Sequence, residues 1–337
     1  MKRIVAVAAG AAVVALVAKK VAEASKRANL QGVVVAISGA SRGLGLALAR
    51  EFGARGAAIA ICARDRDVLE RAAGDLAARG VETLALQCDI RDRAAVERFV
   101  EAVVDRYGRL DVLVNNAGTI AVGPFGAMDD EDYRDGMQTH FWAPHYMVSA
   151  ALPHLRASRG RVVNIASIGG LVSVPHLLPY SASKFALVGY SLGLRQELAE
   201  SGVCVTTICP GLMRTGSPRN ATFKGRHRSE YAWFDAMASS PLTSISAESA
   251  ARQIVDAAVA RKNLVILSPQ AQLLALTARL APDLVTAINT VVSRALPHPN
   301  GDSKAARGSE SESAFTQSPI TALGRKAERD LNQLPAR

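Results

Sequence analysis

Tyr180 and Lys184, in the run Tyr180-Ser181-Ala182-Ser183-Lys184, stand four residues apart in a stretch with helical patterning. At that spacing the two side chains share one helix face and reach the same small volume. A phenol beside a fixed ammonium is easier to ionise, because the cation favours the phenolate, and such a phenol can exchange a proton with a reacting oxygen. Ser167, thirteen residues upstream, adds a third polar group of a catalytic type. A tyrosine and a lysine at this spacing more often mark a solvated helix face than a site, so the reading depends on what precedes them.

What precedes them is a series of short β-branched runs alternating with longer amphipathic segments. Val33–Ile37 is followed at once by Ser38-Gly39-Ala40-Ser41-Arg42-Gly43-Leu44-Gly45, and then by a helical apolar pattern through Ala47, Leu48 and Phe52. Strand, glycine-rich turn and helix in that order form a phosphate cradle. Gly39 allows the tight turn, Gly43 lets backbone approach a pyrophosphate, Gly45 permits close packing, and the helix N-terminus supplies partial positive charge. A second strand, Ala57–Cys62, ends at Ala63-Arg64-Asp65. An acid there suits ribose hydroxyls and an arginine suits a 2'-phosphate, so Arg64 with Arg42 favours NADP(H) over NAD(H), against the restraint of Asp65.

Further strands are expected at Val81–Gln87, Leu110–Val114, Arg161–Ile165, Val203–Cys209 and Leu264–Leu267, with helices near 66–78, 92–107, 130–156, 179–200 and 247–260. That alternation specifies a single α/β domain, a Rossmann-type doubly wound parallel sheet of about seven strands, over residues 31–270. Asp89, at the end of the third strand, either accepts from an adenine amine or caps the following helix. Asn115-Asn116-Ala117-Gly118 suits a crevice floor at the carboxyl ends of the strands. Residues 216–241 bring Phe223, Tyr231, Trp233 and Phe234 together with Lys224, Arg226 and Arg228, the composition of a substrate lid with an aromatic lining or of ordinary packed helices. Gln270–Leu296 continues as an apolar helical extension interrupted by Pro282, and residues 297–337 lose periodicity and read as a disordered tail.

The net charge of +10 does not indicate nucleic acid. Residues 1–30 hold Lys2, Arg3, Lys19, Lys20, Lys26 and Arg27 against Glu23, half of the excess, and no basic strip is interleaved with aromatics. No Cys/His cluster has metal-ligand spacing, so no metal is expected. Cys62, Cys88, Cys204 and Cys209 lie in or beside strand-like runs as small hydrophobes, which suits a reducing, cytoplasmic setting. The uncharged run Ile4–Ala18, flanked by basic residues, has three readings: a membrane anchor, which leads, a helix packed on the protein, or a cleaved signal. An anchored protein would sit on the inner face of a membrane.

The chain resembles the short-chain dehydrogenase/reductase family over about residues 31–270, on the turn 38–45, Asn115–Gly118, Ser167, Tyr180 with Lys184, and Pro210-Gly211 with Thr215. The resemblance implies reversible hydride transfer between a nicotinamide and a carbonyl or secondary alcohol. Ser167 would hold the carbonyl oxygen, Tyr180 would donate the proton, and Lys184 would lower the tyrosine's pKa and hold the ribose. The expected cofactor contacts are Gly39, Ser41, Arg42, Gly43, Leu44, Gly45, Arg64, Asp89, Asn115, Ala117, Gly118, Pro210, Gly211 and Thr215, besides Tyr180 and Lys184. Where relatives carry an asparagine that holds a proton-relay water, this chain has His140, expected to take over the relay. Pairing into a dimer or tetramer through helices 130–156 and 179–200 is also implied. A small apolar ketone, aldehyde or alcohol is the expected substrate. The alternatives are an epimerase or dehydratase, or a cofactor-binding scaffold without catalysis.

Overall fold

The computed structural model describes residues 28–298 and 304–334. The expectations for Ile4–Ala18 fall outside the described residues. Seven strands form one parallel sheet: β1 (Val34–Ser38), β2 (Ala58–Ala63), β3 (Thr83–Gln87), β4 (Val112–Asn115), β5 (Arg161–Ile165), β6 (Cys204–Pro210) and β7 (Leu264–Leu267). Their spatial order is β7-β6-β5-β4-β1-β2-β3. The order reverses between β1 and β4, so the crevice opens at the carboxyl ends of those two strands. β1 and β6 are buried along their whole length, as strands covered on both faces must be, which is why they read as continuous apolar runs.

Helices α1 (Gly43–Ala54), α2 (Arg66–Ala78), α3 (Arg93–Tyr107), α4 (Asp130–Met137), α5 (Ala143–Ser158), α6 (Leu178–Glu197), α7 (His227–Ser239) and α8 (Ala247–Val259) supply the crossovers and the lid. One core packs α1 and α8 against one face of the sheet, and a second packs α3 and α5 against the other. All four cysteines are free and buried. α4 and α5 make up the expected long helix, but a π-helical turn, Gln138–Trp142, joins them. Such one-turn insertions re-aim a side chain, and here the turn carries His140 into the crevice.

The apolar extension forms α9 (Pro269–Leu280) and α10 (Pro282–Ala295), split where Pro282 can only begin a helix. Among the described residues no helix is long and apolar enough to cross a membrane.

The expectation of disorder after residue 297 is overturned for residues 304–334. They form a two-residue strand, Ala306–Arg307, two short 3-10 turns and helix α11 (Ala322–Asp330). Ala306–Arg307 pairs with Thr222–Phe223, which pairs in turn with Ala121–Val122. Ala327 and Leu331 are buried in the same core as Leu44 and Leu48. The tail is ordered by docking on other elements, and its own periodicity carries little of that signal.

Candidate active site

Ser167, Tyr180, Lys184 and His140 converge at the carboxyl ends of β4 and β5. Ser167 follows β5, is buried, and accepts the Gly169 amide hydrogen at 3.0 Å. Tyr180 sits in the first turn of α6, half-buried, with its ring edge-on to His140 at 5.5 Å between centroids. Lys184 lies one turn on and is 4% exposed. Its Nζ donates to the Ile165 carbonyl at 2.8 Å and stands 5.7 Å from the Tyr180 ring centroid.

Burial dominates the electrostatics. It pushes the Tyr180 phenol above its ordinary value, against a smaller opposing pull from a hydrogen bond with Ser167. It also pushes the Lys184 ammonium down to about 7. Desolvation of both groups therefore outweighs the simple expectation that the lysine eases ionisation of the tyrosine. The protein presents a protonated phenol, a proton donor, to the crevice.

His140 is buried and its ring is fully engaged. Nε2 accepts the Thr119 amide hydrogen at 3.2 Å, and Nδ1 lies 2.8 Å from Ser183 Oγ. The Ser183 hydroxyl itself donates to the Pro179 or Tyr180 carbonyl, each at 2.9 Å. Those bonds assign the imidazole proton to Nδ1. Burial, and then the Lys184 charge, hold the ring well below its ordinary pKa and hence neutral. Neither nitrogen is left for a relay water, the role expected of this residue.

The glycine-rich turn is built as a cradle. Gly39 and Gly43 have φ of +65° and +59°. A Cβ on Gly39 would lie 2.6 Å from the Ala117 Cα, and one on Gly45 would strike the Gly39 carbonyl and lie 2.5 Å from Asn116 Nδ2. Asn116, absent from the expected contacts, pins this turn by donating from Nδ2 to the Ser38 and Gly39 carbonyls, each at 3.0 Å. Arg42 at the N-cap of α1 makes no side-chain capping bond, and no acid stands in the first turn. No side chain of the turn itself caps its amides, which leaves them to an anionic or carbonyl acceptor from elsewhere.

Burial lowers the Arg42 pKa, the nearby Asp65 carboxylate opposes that shift, and Arg64 and then Arg307 from the tail add to it. Asp65 is spent as the N-cap of α2, accepting from the Val68 amide at 3.1 Å. The Asp65 carboxylate that argued for ribose hydroxyls thus caps the helix, and Arg42 and Arg64 remain to meet a 2'-phosphate. These residues fit an NADP-type nucleotide.

Other expected contacts have different duties. Asp89 accepts the Arg91 guanidinium at 2.7 Å, which draws its carboxyl below the usual range. The helix-cap role considered for Asp89 falls to Asp92, which accepts from the Ala94 amide at 2.9 Å. Asn115 is buried and donates to Asn164 at 2.8 Å, Asn164 to Ser191 at 3.0 Å, and Ser191 meets Thr207 at 2.7 Å. This chain of polar bonds ties β4, β5, α6 and β6 together beneath the site, and only Asn115 of its members stood out in the sequence. Gly118 faces His140, since a Cβ there would lie 3.1 Å from Nε2. Pro210 ends β6, Gly211 packs against Ser268 and Ala271, and Thr215 is buried with its hydroxyl on Ser217 Oγ at 2.9 Å. Ser41 and Leu44 are buried in the turn and at the start of α1.

The lid aromatics face inward. Phe223, Tyr231 and Phe234 form a small core with Val122, Leu177 and Ala221, so they hold the lid together instead of lining an open pocket. His176, on the segment before α6, bonds the fully buried Glu230 of α7 at 2.8 Å and anchors that lid. Beside the start of α6 lies a cavity of about 410 Å³ walled by Pro124, Phe125, Val174, Leu178 and, from the end of α10, Ser293 and Pro297.

The short chain dehydrogenase family pattern matches residues 33–224. A Streptomyces violaceoruber protein named as a ketoacyl reductase of the granaticin polyketide synthase is 40% identical over 185 residues, which are 54% of this chain and 68% of that protein. An Arabidopsis thaliana 11-beta-hydroxysteroid dehydrogenase-like protein, 4A, is 36% identical over 191 residues, 56% of this chain and 64% of the relative. Among solved structures, a single-substitution variant of the actinorhodin polyketide ketoreductase with NADPH superposes with a TM-score of 0.63 at 32% identity, over 72% of this chain and 97% of that one. The L-sorbose reductase of Gluconobacter frateurii, complexed with NADPH and L-sorbose, gives 0.64 at 26% identity, over 71% and 96%.

Proposed function

Because this chain belongs to the short-chain dehydrogenase/reductase family, we propose that Ser167, Tyr180 and Lys184 are the residues that carry its chemistry. The protein is an NADP(H)-dependent oxidoreductase that moves hydride between the nicotinamide and a carbonyl or alcohol carbon. When bound, the nicotinamide supplies or accepts that hydride. In the reductive direction Ser167 and Tyr180 donate hydrogen bonds to the carbonyl oxygen. Both bonds strengthen as negative charge grows there, so they stabilise the transition state more than the ground state. Tyr180 then gives up its proton, and the Lys184 ammonium stabilises the phenolate left behind. The observation that carries this reading is the convergence of a protonated phenol, a hydroxyl and a buried ammonium at the carboxyl edge of β4 and β5, next to a glycine turn with no side-chain cap.

His140 is a positioning residue in this scheme: as a neutral ring it holds the 118–119 segment to α6 through Ser183. The substrate's apolar body occupies the cavity beside Leu178 and Phe125, whose lining supports a hydrophobic ketone, aldehyde or alcohol. Contact with a membrane is supported by the outer face of α9 and α10, where Leu273, Leu276, Leu280, Leu284 and Val291 are all more than half exposed. Pairing of two copies through α5 and α6 is supported by the exposed Trp142, at the end of the π turn that leads into α5, and Phe185 on α6.

The test is loss of NADPH absorbance with a panel of hydrophobic ketones and aldehydes beside short polar ones. Turnover that rises with apolar size in the wild type, and is lost in Tyr180→Phe, is expected. Equal turnover of Tyr180→Phe would remove the tyrosine from its role, and preference for polar sugars would remove the apolar substrate.

A further inference from the structure

One amide of the glycine-rich turn already has an acceptor from the tail. Gly43 N–H donates to the Leu331 carbonyl at 2.9 Å. Leu331 is the residue after α11, and the chain continues along the cradle. Asn332 Nδ2 donates to the Ser41 carbonyl at 2.8 Å and to the Val68 carbonyl at 2.9 Å, and Arg71 donates to Asn332 Oδ1 at 3.1 Å. Gln333 Nε2 donates to the Thr215 carbonyl at 2.7 Å, and its Oε1 accepts from Asn220 at 2.8 Å. A Cβ built on Gly43 would lie 3.0 Å from Gln333 Nε2 and 3.8 Å from Thr215. The Gln333 side chain therefore fills the gap between the glycine turn and Thr215, where a dinucleotide's diphosphate must pass. Leu331 and Gln333 are 1% and 6% exposed, so this is a seated segment and not a loose end.

The same tail holds the roof down. Ala306–Arg307 completes the three-stranded ribbon over the crevice, and α11 packs on α7 so closely that Gly324 has no room for a side chain against Ser239. The free space left between Tyr180, His140, Thr119 and Thr222 is about 40 Å³, enough for a water or two. The tail thus fills the space beside the glycine turn, while the lid residue Thr222 borders the small space at Tyr180.

We propose that residues 304–334 are an autoinhibitory latch, with Leu331, Asn332 and Gln333 competing with NADPH for the glycine-rich turn. The inference rests on the NADP(H) reading of the site. The latched state is closed to cofactor, so apparent affinity is reduced by the fraction of molecules that are open. By linkage, saturating NADPH must release the tail as strongly as the tail excludes NADPH.

Two measurements on the full chain test this. NADPH is titrated by fluorescence into the wild type and into the double variant Asn332→Ala, Gln333→Ala, which removes side-chain bonds from the tail alone. Binding at least tenfold tighter in the variant is expected. Equal or weaker binding would overturn the latch and make the tail a cofactor clamp or a bystander. Hydrogen exchange of residues 322–334 is then followed in the wild type with and without NADPH. Faster exchange on saturation is expected, whereas slower or unchanged exchange would overturn the proposal without reliance on any variant. Absence of NADPH binding to both proteins would remove the cofactor reading and the latch with it; tight binding to both at equal strength would remove the latch only.

Discussion

At the scale of single residues, burial sets the protonation states of the site. Lys184 sits almost out of solvent with one carbonyl partner, and its ammonium is depressed to about 7. A lysine whose folded pKa lies below its unfolded value costs stability in full below the folded value, and the cost fades as pH rises towards the unfolded one. Stability of the wild type should therefore rise as pH goes from about 7 towards 10.5, the ordinary lysine value. Replacing the group by Lys184→Met should abolish turnover yet raise stability at pH 7 by roughly 2–4 kcal/mol. The gain should shrink towards pH 10, and denaturant melts of both proteins across that range would check it. A variant less stable than wild type at neutral pH would mean the ammonium is well paired. His140 behaves differently. With both nitrogens bonded and the ring neutral, His140→Ala should strand the Thr119 amide and cost about 1–3 kcal/mol. Turnover should fall, but the pH dependence of kcat should keep its wild-type shape. A shifted profile would restore a proton-relay role.

At the scale of elements, the strands were legible because parallel strands buried on both faces must be written as short β-branched runs. Arg161–Ile165 and Leu264–Leu267 are found with the expected bounds, and the other strands within a residue or two. The glycine turn was legible for the same kind of reason, since glycine takes the left-handed backbone of positions 39 and 43 without strain and a Cβ at 39 would strike Ala117. What pins the turn was not. Asn116 looks like its neighbour Asn115 in the sequence, and only the fold turns one amide into the turn and the other into the sheet's underside. Asn116→Ala should lose both carbonyl contacts, lower stability by about 1–2 kcal/mol and weaken NADPH binding, while Asn115→Ala should act mainly on stability. Calorimetric melts paired with cofactor titrations separate the two, and equal loss of affinity in both would deny Asn116 its particular place. The π turn at Gln138–Trp142 left no trace in the pattern either, because one inserted residue does not disturb an apolar face on both sides.

At the scale of the whole molecule, the illegible part was the tail. Residues 304–334 are rich in serine, arginine and glutamate, a composition that reads as solvated, and their order comes from partners far away in the chain, such as Arg219 bound to Glu312 across 93 residues. Only Ala327 and Leu331, four apart and facing the core, hinted at a docked helix. That docking has a pH dependence of its own. Glu328 of α11 is buried against Asp235 of α7 and Glu312 of the tail, with Arg219 and Arg325 opposite. Burial wins, and the carboxyl is pushed up to about 7, while Asp235 rises to about 6. An acid whose docked pKa exceeds its free value favours docking when protonated. The contribution is whole below the free value near 4.5, is lost as pH rises to about 7, and is constant above that. Protection of residues 322–334 against hydrogen exchange, corrected for intrinsic rates, should thus fall between about pH 5 and about pH 7.5. In Glu328→Gln, which carries no charge to bury, the fall should be smaller and protection at the upper end of that range should exceed that of the wild type. Because a looser tail leaves the cradle open for longer, NADPH affinity there should be lower in Glu328→Gln than in the wild type. A variant that is less protected at that pH would instead show that the pairing of Glu328 with Arg219 outweighs its burial.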